Sequence, residues 1–322
     1  MNEVELNTRD DRRASGGVSV HPFSDTSVVL CDTSDRIQWL KARTQGIGAS
    51  EAPAVLGLSP YASALSVYQS KILPDESNEE SEILKWGNIL EPVILEELGK
   101  ELDCRVSRRG ILLRSKEWPW MLCTLDGIAH MDELVPVEAK STYYKAREWE
   151  IDGVPEYVEV QQQQQMAVTG ASRSIAVVLL RGNALRWKEV ARNEAFIQES
   201  LVPAGKKLWD LIVRGESPPP ADNSKATADA LKRLYPKDNG EAVALTGPLV
   251  EAHEKRVDLK LEEKRVKDDL QAVDNQIKAA IGKATFGELP DGSRYNYRVR
   301  ERNGFTVAPT TFRQLTLERR KD

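Results

Sequence analysis

Thr124-Leu125-Asp126-Gly127 and the nearby run Val135-Pro136-Val137-Glu138-Ala139-Lys140 decide how this chain folds. The residues leading into them, Val106, Ile111, Leu113, Met121, Cys123 and Leu125, alternate or cluster in short apolar runs broken by Gly110, Pro119 and Gly127. That is strand spacing, and Leu134 to Lys140 continues it. Side chains alternate along a strand, so Glu138 and Lys140 share one face. Asp126 ends the preceding strand, where Gly127 permits a sharp turn. A carboxylate from each strand and a lysine thus converge on one edge of a sheet. Oxygen donors of this kind suit Mg²⁺ or Mn²⁺ better than zinc. Such an ion can polarise a phosphodiester and lower the pKa of a bound water, while a lysine orients that water or stabilises charge. The same spacing also suits an exposed, salt-bridged strand pair with a turn aspartate.

Outward from this centre the period is helical. Upstream, Ile37, Trp39, Leu40 and Arg43 predict a short helix capped by Ser34 or Asp35. A Gly46-Ile47-Gly48-Ala49-Ser50 turn leads to a helix over Glu51 to Leu56, and Ser59-Pro60 starts another through Ile72. Ile83 to Leu102 is the strongest helix of the first half. Downstream, Tyr143 to Trp149 and Pro155 to Val168 predict helices, the second closed by Gly170. Ser174 to Leu180 and Leu185 to Val190 form a strand pair, and Glu194 to Arg214 a last helix. This order predicts an α+β fold, a mixed central sheet flanked by helices.

Residues 1–33 are polar and interrupted by Gly and Ser, and predict a loosely ordered N-terminal arm. Ser217-Pro218-Pro219-Pro220 continues neither element, which places a boundary there and a first domain at 34–216. In 217–322, Val266, Leu270, Val273, Ile277 and Ile281 make a narrow stripe of coiled-coil type on a long helix, followed by hairpin signals around Pro290-Asp291-Gly292. That stripe suits self-association, a partner protein or packing onto the first domain. The chain has 322 residues, a length that predicts roughly two domains, and 45 Lys+Arg against 50 Asp+Glu give a net charge of −5. Net charge therefore does not advertise nucleic-acid binding. Cys31, Cys104 and Cys123 form no CxxC pair, which excludes a Cys₄ zinc ribbon or iron–sulfur cluster held within one chain. His21, His130 and His253 lack ligand spacing. No apolar run approaches a membrane span, and Met1 to Arg13 lacks the apolar segment of a secretory signal, so a cytoplasmic protein is expected.

Three further features stand out. Glu91 lies in Gly87-Asn88-Ile89-Leu90-Glu91-Pro92, on an otherwise apolar helical face where a carboxylate needs a partner or a metal. Gln161 to Gln165 is an unbroken glutamine run on a helix, either a solvated face or one that turns two to four amides inward. Arg43 and Ser50 flank the Gly46–Gly48 turn, which suits anion binding or a plain structural turn.

Together, Arg43-Thr-Gln-Gly46-Ile-Gly-Ala-Ser50-Glu, Leu58-Ser-Pro-Tyr61, Gly87-Asn-Ile-Leu-Glu91-Pro, Thr124-Leu-Asp126-Gly127, Val137-Glu138-Ala-Lys140 and Gln161 through Met166-Ala-Val-Thr-Gly170 resemble, in this order, the YqaJ-type viral recombinase family. These are relatives of phage lambda exonuclease among the PD-(D/E)XK nucleases. The resemblance covers Ile37 to Arg214. It implies a metal-dependent DNA exonuclease that hydrolyses phosphodiesters from 5′ ends of linear duplex DNA in phage-type recombination. It implies one or two Mg²⁺ (or Mn²⁺) held by Glu91, Asp126, Glu138 and the Ala139 backbone carbonyl, with Lys140 positioning the attacking water and Gln161 at the active site. Arg43 and Ser50 would hold a phosphate. It also implies duplex ends as substrate, a single-strand annealing protein as partner and a trimeric homo-oligomer. Similar members carry Gln-x-Gln-His where this chain has Gln161-Gln-Gln163-Gln164, so the functional glutamine stays open. An endonuclease with the same site, or a non-catalytic DNA-end or partner-binding module, are the competing expectations.

Overall fold

The computed structural model describes residues 21–74, 81–108, 110–151, 153–302, 304, 309 and 311–317. In chain order the first part holds β1 (Ser27–Asp32), α1 (Arg36–Arg43), β2 (Ile47–Gly48), α2 (Ala52–Val55), α3 (Ala64–Ile72), α4 (Glu82–Glu101), β3 (Arg105–Arg108), β4 (Ile111–Ser115), β5 (Met121–Thr124), β6 (Gly127–His130) and β7 (Leu134–Thr142). Then come α5 (Ala146–Ile151), α6 (Glu156–Thr169), β8 (Arg173–Leu180), β9 (Ala184–Ala191), α7 (Glu194–Phe196), α8 (Val202–Arg214) and α9 (Lys225–Leu234). A π-helical turn, Ile197–Leu201, joins α7 to α8. The remainder is α10 (Pro248–Ile281) with the short strands β10 (Phe286–Glu288) and β11 (Arg294–Asn296).

The expected α+β class is present, its mixed sheet being the five-stranded one, ordered β3-β6-β7-β8-β9. Only β7 and β8 run parallel in it. β8 is apolar from Ile175 to Leu180, as suits a strand covered on both faces. Ile175 and Val177 pack with Ile94, Leu95 and Leu98 of α4, whereas Ala176, Val178 and Leu180 pack with Val158 and Met166 of α6. A second sheet, ordered β1-β4-β5-β2, takes the remaining strands of this part. The chain passes from one sheet to the other between Thr124 and Gly127, so Leu125 and Asp126 form the crossing.

α6 lies where both sheets can reach it. Val160, Ala167 and Val168 join a core with Met121, Cys123 and Leu113, while Val158 and Met166 face β8. The helix is therefore buried nearly all round. Gly170 ends it in the left-handed conformation at φ 76°, where Cβ-bearing residues are strained.

Several expectations about boundaries need correction. The segment assigned to a loose arm contributes β1, which pairs antiparallel with β4, and Ser27 is buried there; residues 1–20 lie outside the described part. The acidic stretch 75–80 also lies outside it. Tyr143 to Lys145 form a turn, so α5 starts only at Ala146. Ser59-Pro60 does not start α3; Ser63 caps it reciprocally with Ser66. The boundary at 216/217 moves downstream: the two compact units are 1–235 and 236–322. Gly215 ends α8 in the left-handed conformation and the triple proline follows, but α9 then returns to α3, burying Ala230 and joining Thr227 Oγ1 to Ser63 Oγ at 2.7 Å. Prolines interrupt an element without ending a domain when the next amphipathic helix still has a core to cover.

In the second unit no described residue of α10 is buried. The hairpin β10–β11 closes beside its end, where a side chain at Gly287 would meet Ile281. Among the described residues no helix is long and apolar enough to cross a membrane.

Candidate active site

A cavity of about 1130 Å³ opens in the first unit, lined by Arg43, Ser50, Glu91, Asp126, Glu138, Ala139, Lys140 and Gln161. The sequence-derived candidates thus all meet in one place. β7 presents Glu138 and Lys140 on the same side, and the Lys140 ammonium donates to Glu138 Oε1. The crossing between sheets delivers Asp126, whose Oδ2 accepts the Ala139 amide at 2.8 Å. That bond ties the crossing to β7 and fixes the spacing of the two carboxylates. α4 brings Glu91, one helical turn before Leu95. Gly127 makes this approach possible, because a Cβ there would stand 2.9 Å from Leu95 Cδ2 and 3.3 Å from Val106 Cγ1.

Glutamines of α6 complete the inner wall. Lys140 Nζ also donates to Gln161 Oε1 at 3.3 Å. Gln165 Nε2 donates to Glu138 Oε2 at 2.6 Å, so both oxygens of this buried carboxylate are engaged. The other three amides serve the fold. Gln162 donates to Ser174 at 2.6 Å, and Gln163 bridges the Ala191 carbonyl and the Asn193 amide at 2.8 Å each. Gln164 spans the parallel pair β2–β5, donating to the carbonyls of Ile47 at 2.8 Å and Leu122 at 3.0 Å. All five are buried, more than the two to four expected. A residue step of about 100° aims each amide differently, and around this helix every direction holds an element with polar atoms to satisfy.

Charge is crowded here. Burial, then the neighbouring Glu138 and Glu91 carboxylates, push Asp126 well above the ordinary aspartate value against the pull of Lys140. Burial also raises Glu91, although Arg108 Nε pairs with its Oε1 at 2.9 Å. Burial works against charge on Lys140 too, but Glu138 and Asp126 outweigh it and hold its pKa above the ordinary lysine value. As arranged, Lys140 is held as a cation that donates hydrogen bonds to Glu138 and Gln161. Glu91, Asp126, Glu138 and the Ala139 carbonyl form an all-oxygen donor set, and the mutual repulsion recorded on Asp126 is what a divalent cation relieves. By donor chemistry these residues fit Mg²⁺ or Mn²⁺. Among the described residues no three acidic, histidine or cysteine side chains stand gathered for an ion as arranged: Arg108 engages Glu91, and Lys140 and Gln165 engage Glu138.

The Gly46–Gly48 turn differs from the anion-binding turn considered in the sequence. A Cβ at Gly46 would stand 2.5 Å from the Trp120 carbonyl oxygen, so glycine is there for lack of room. The Gly48 amide is taken by the chain's own Glu51, at 2.7 Å to Oε2. Glu51 further pairs with Arg43 at 3.1 Å and with Lys71 at 2.7 Å. Burial pushes the Glu51 carboxyl up, but these two cations more than reverse it. Lys71, repelled by Arg43 as well as buried, is pulled down. Arg43 stacks over Trp39 at 4.8 Å and lies 3.5 Å from Ser50 Oγ. Arg43 and Ser50 do line the cavity together, with Arg36 and Arg108 as further cations.

Sequence reasoning missed Glu51, Lys71 and Arg108, and did not single out Gln165 within the glutamine run it left open. Glu51 follows Ser50 directly, and Lys71 sits three residues after the apolar Tyr68, on a face that had to be buried. Arg108 carried no local signal, because its partner comes from a helix earlier in the chain.

Residues 38–172 match the family model described as the YqaJ-like viral recombinase domain. This part of the chain is similar to that family. The matched segment contains every candidate lining residue from Arg43 to Gln161. The chain is 29% identical over 272 residues to the uncharacterized protein YqaJ of Bacillus subtilis, covering 82% of this chain and 84% of that protein. Among solved structures, it is similar to the alkaline exonuclease LHK-Exo of Laribacter hongkongensis, with a TM-score of 0.46, 19% identity, and coverage of 55% of this chain and 93% of that one. A phage-related exonuclease of Haemophilus somnus 129PT aligns with a TM-score of 0.39 and 11% identity, over 53% of this chain and 96% of that one.

Proposed function

We propose that this protein is a metal-dependent DNA exonuclease of phage-type recombination, hydrolysing phosphodiesters from the 5′ ends of linear duplex DNA. The observation that carries the reading is the meeting of Glu91, Asp126, Glu138, Lys140 and Gln161 in one cavity of the YqaJ-like domain. Glu91, Asp126, Glu138 and the Ala139 carbonyl would hold one or two Mg²⁺ ions, which when bound neutralise phosphate charge and acidify a water. The chain's own groups do the rest. Lys140, kept cationic, stabilises negative charge developing on the phosphate and orients the attacking water. Gln161 and Glu138 hold the lysine in place, and the Ala139 amide holds Asp126. Arg43 and Ser50 receive an end phosphate, with Glu51 fixing the guanidinium. The proposed partners are duplex ends, a single-strand annealing protein and further copies of this chain in a ring, in the cytoplasm of a bacterial host.

The test is cleavage of end-labelled linear duplex and closed circular DNA, with Mg²⁺ or with EDTA, by wild-type protein and Glu138→Gln. Metal-dependent loss of the linear DNA alone, starting from the 5′ label and absent in the variant, is the expected result. Wild-type rates in Glu138→Gln would exclude this active site. Cleaved circles would establish an endonuclease, and DNA bound without cleavage a non-catalytic module.

A further inference from the structure

The chain leaves the cavity through an aromatic cluster that none of these roles employs. β7 lines the cavity as far as Ser141 and ends at Thr142. Thr142 Oγ1 accepts the Lys145 amide at 3.3 Å, a side-chain-closed turn that carries Tyr143 and Tyr144 off the line of the strand. Tyr143 is 65% exposed and Tyr144 94%, their rings edge to face with centroids 5.2 Å apart. Tyr61, from the Leu58-Ser-Pro-Tyr61 motif, is 63% exposed and meets Tyr157 edge to face at 5.6 Å. The Lys145 ammonium lies 4.5 Å from the centroid of the Tyr61 ring and 5.5 Å from that of Tyr157. Tyr143 stands two residues beyond Ser141, the last residue of β7 to line the cavity, and so places this cluster just past the cavity wall.

Flat aromatic faces held open to water beside an ammonium suit one kind of ligand well. A nucleotide presents a π surface for the ring and a phosphate for the cation, and every base has such a surface. A paired base in a duplex is already stacked on both sides, so the complement to these rings is an unpaired one. We propose that Tyr61, Tyr143 and Tyr144, with Lys145, form a stacking site for unpaired nucleobases of a DNA strand whose backbone passes Lys140. This deepens the nuclease reading and rests on it for the strand at Lys140. Binding there is tolerant of sequence and separate from the phosphate contacts of Arg43 and Ser50.

The test uses fluorescence anisotropy of the full-length protein in EDTA. One duplex carries a short single-stranded extension, and a second carries the same extension built of abasic residues. Wild-type protein should prefer the base-bearing extension by roughly tenfold per stacked base. Tyr143→Ala/Tyr144→Ala, which removes two exposed rings and should leave the melting temperature unchanged, should abolish that preference, and Tyr143→Trp/Tyr144→Trp should keep it. Equal binding of the two extensions by wild-type protein, or an undiminished preference in the alanine variant, overturns the proposal. Failure of the nuclease reading shows elsewhere, as intact linear DNA in Mg²⁺; a tyrosine-dependent preference for bases would sustain the stacking site in that case.

Discussion

Replacing Gln165 with methionine keeps the length of the side chain and deletes its amide. The lost contact is the 2.6 Å hydrogen bond to Glu138 Oε2, at a position with no solvent access. A hydrogen bond to a charged group contributes about 1.5–3 kcal/mol net. Against this, Gln165 Oε1 is itself buried without a partner among the described residues, and removing it returns about 1 kcal/mol of desolvation. The expected cost is therefore about 0.5–2 kcal/mol, or about 1–8 °C in Tm for a unit of this size. Cleavage should suffer more than stability, falling at least roughly tenfold, because Glu138 would be held only by Lys140 and a loosened ligand misplaces the reacting groups. Gln162→Met is the control. It loses a 2.6 Å bond to the neutral Ser174 hydroxyl and likewise removes a buried Oε1 without a partner among the described residues, so its stability loss is below about 1 kcal/mol, and it touches no carboxylate. Thermal melts beside single-turnover cleavage of linear duplex separate the two. Equal cleavage losses in both variants, or wild-type cleavage by Gln165→Met, would refute the assignment of Gln165 as the group that positions Glu138.

Two other outcomes follow from particular contacts. Gly127→Ala must push Leu95 and with it α4, so overpacking of about 1–3 kcal/mol should appear together with reduced cleavage, Glu91 lying one turn away on the same helix; a variant that loses stability but cleaves normally would show that α4 tolerates the shift. Glu51, whose pKa is depressed below its ordinary 4.5, contributes stability that is complete above that value and drains as the pH falls through the lower folded one. Glu51→Gln should therefore melt below wild type at neutral pH and converge with it as the pH falls through the depressed folded-state pKa of Glu51, and a gap that stays constant on acidification would count against the paired Glu51.

Much of this fold is legible in local pattern because its elements bury themselves locally. The alternation at Leu134–Lys140, the apolar run Ser174–Leu180 and the Gly170 stop each follow from burial on one or both faces. What stays hidden is pairing across distance. Val28–Leu30 is only a short β-like run inside a polar segment until β4 provides an edge for it, and the triple proline gives no hint that α9 will return to α3. The site divides in the same way. Asp126, Glu138 and Lys140 could be read from strand spacing, and Glu91 from its misfit on an apolar face. In the glutamine run, by contrast, five identical side chains carry no information about direction, and only the surrounding elements distinguish the amide that serves Glu138 from the one that serves Ser174.

That run also has a consequence for heredity. A run of identical residues that lies in solvent can absorb a change in its length. Here one added glutamine would rotate Met166, Ala167 and Val168 by about 100° and advance them by about 1.5 Å, taking each out of its core. The five amide positions would stay filled by glutamine, so Glu138 would keep its donor, but a sixth amide would take the buried place of Met166 against β8. The length of this repeat is therefore held by three-dimensional structure, and viable descendants should vary its letters before they vary its number.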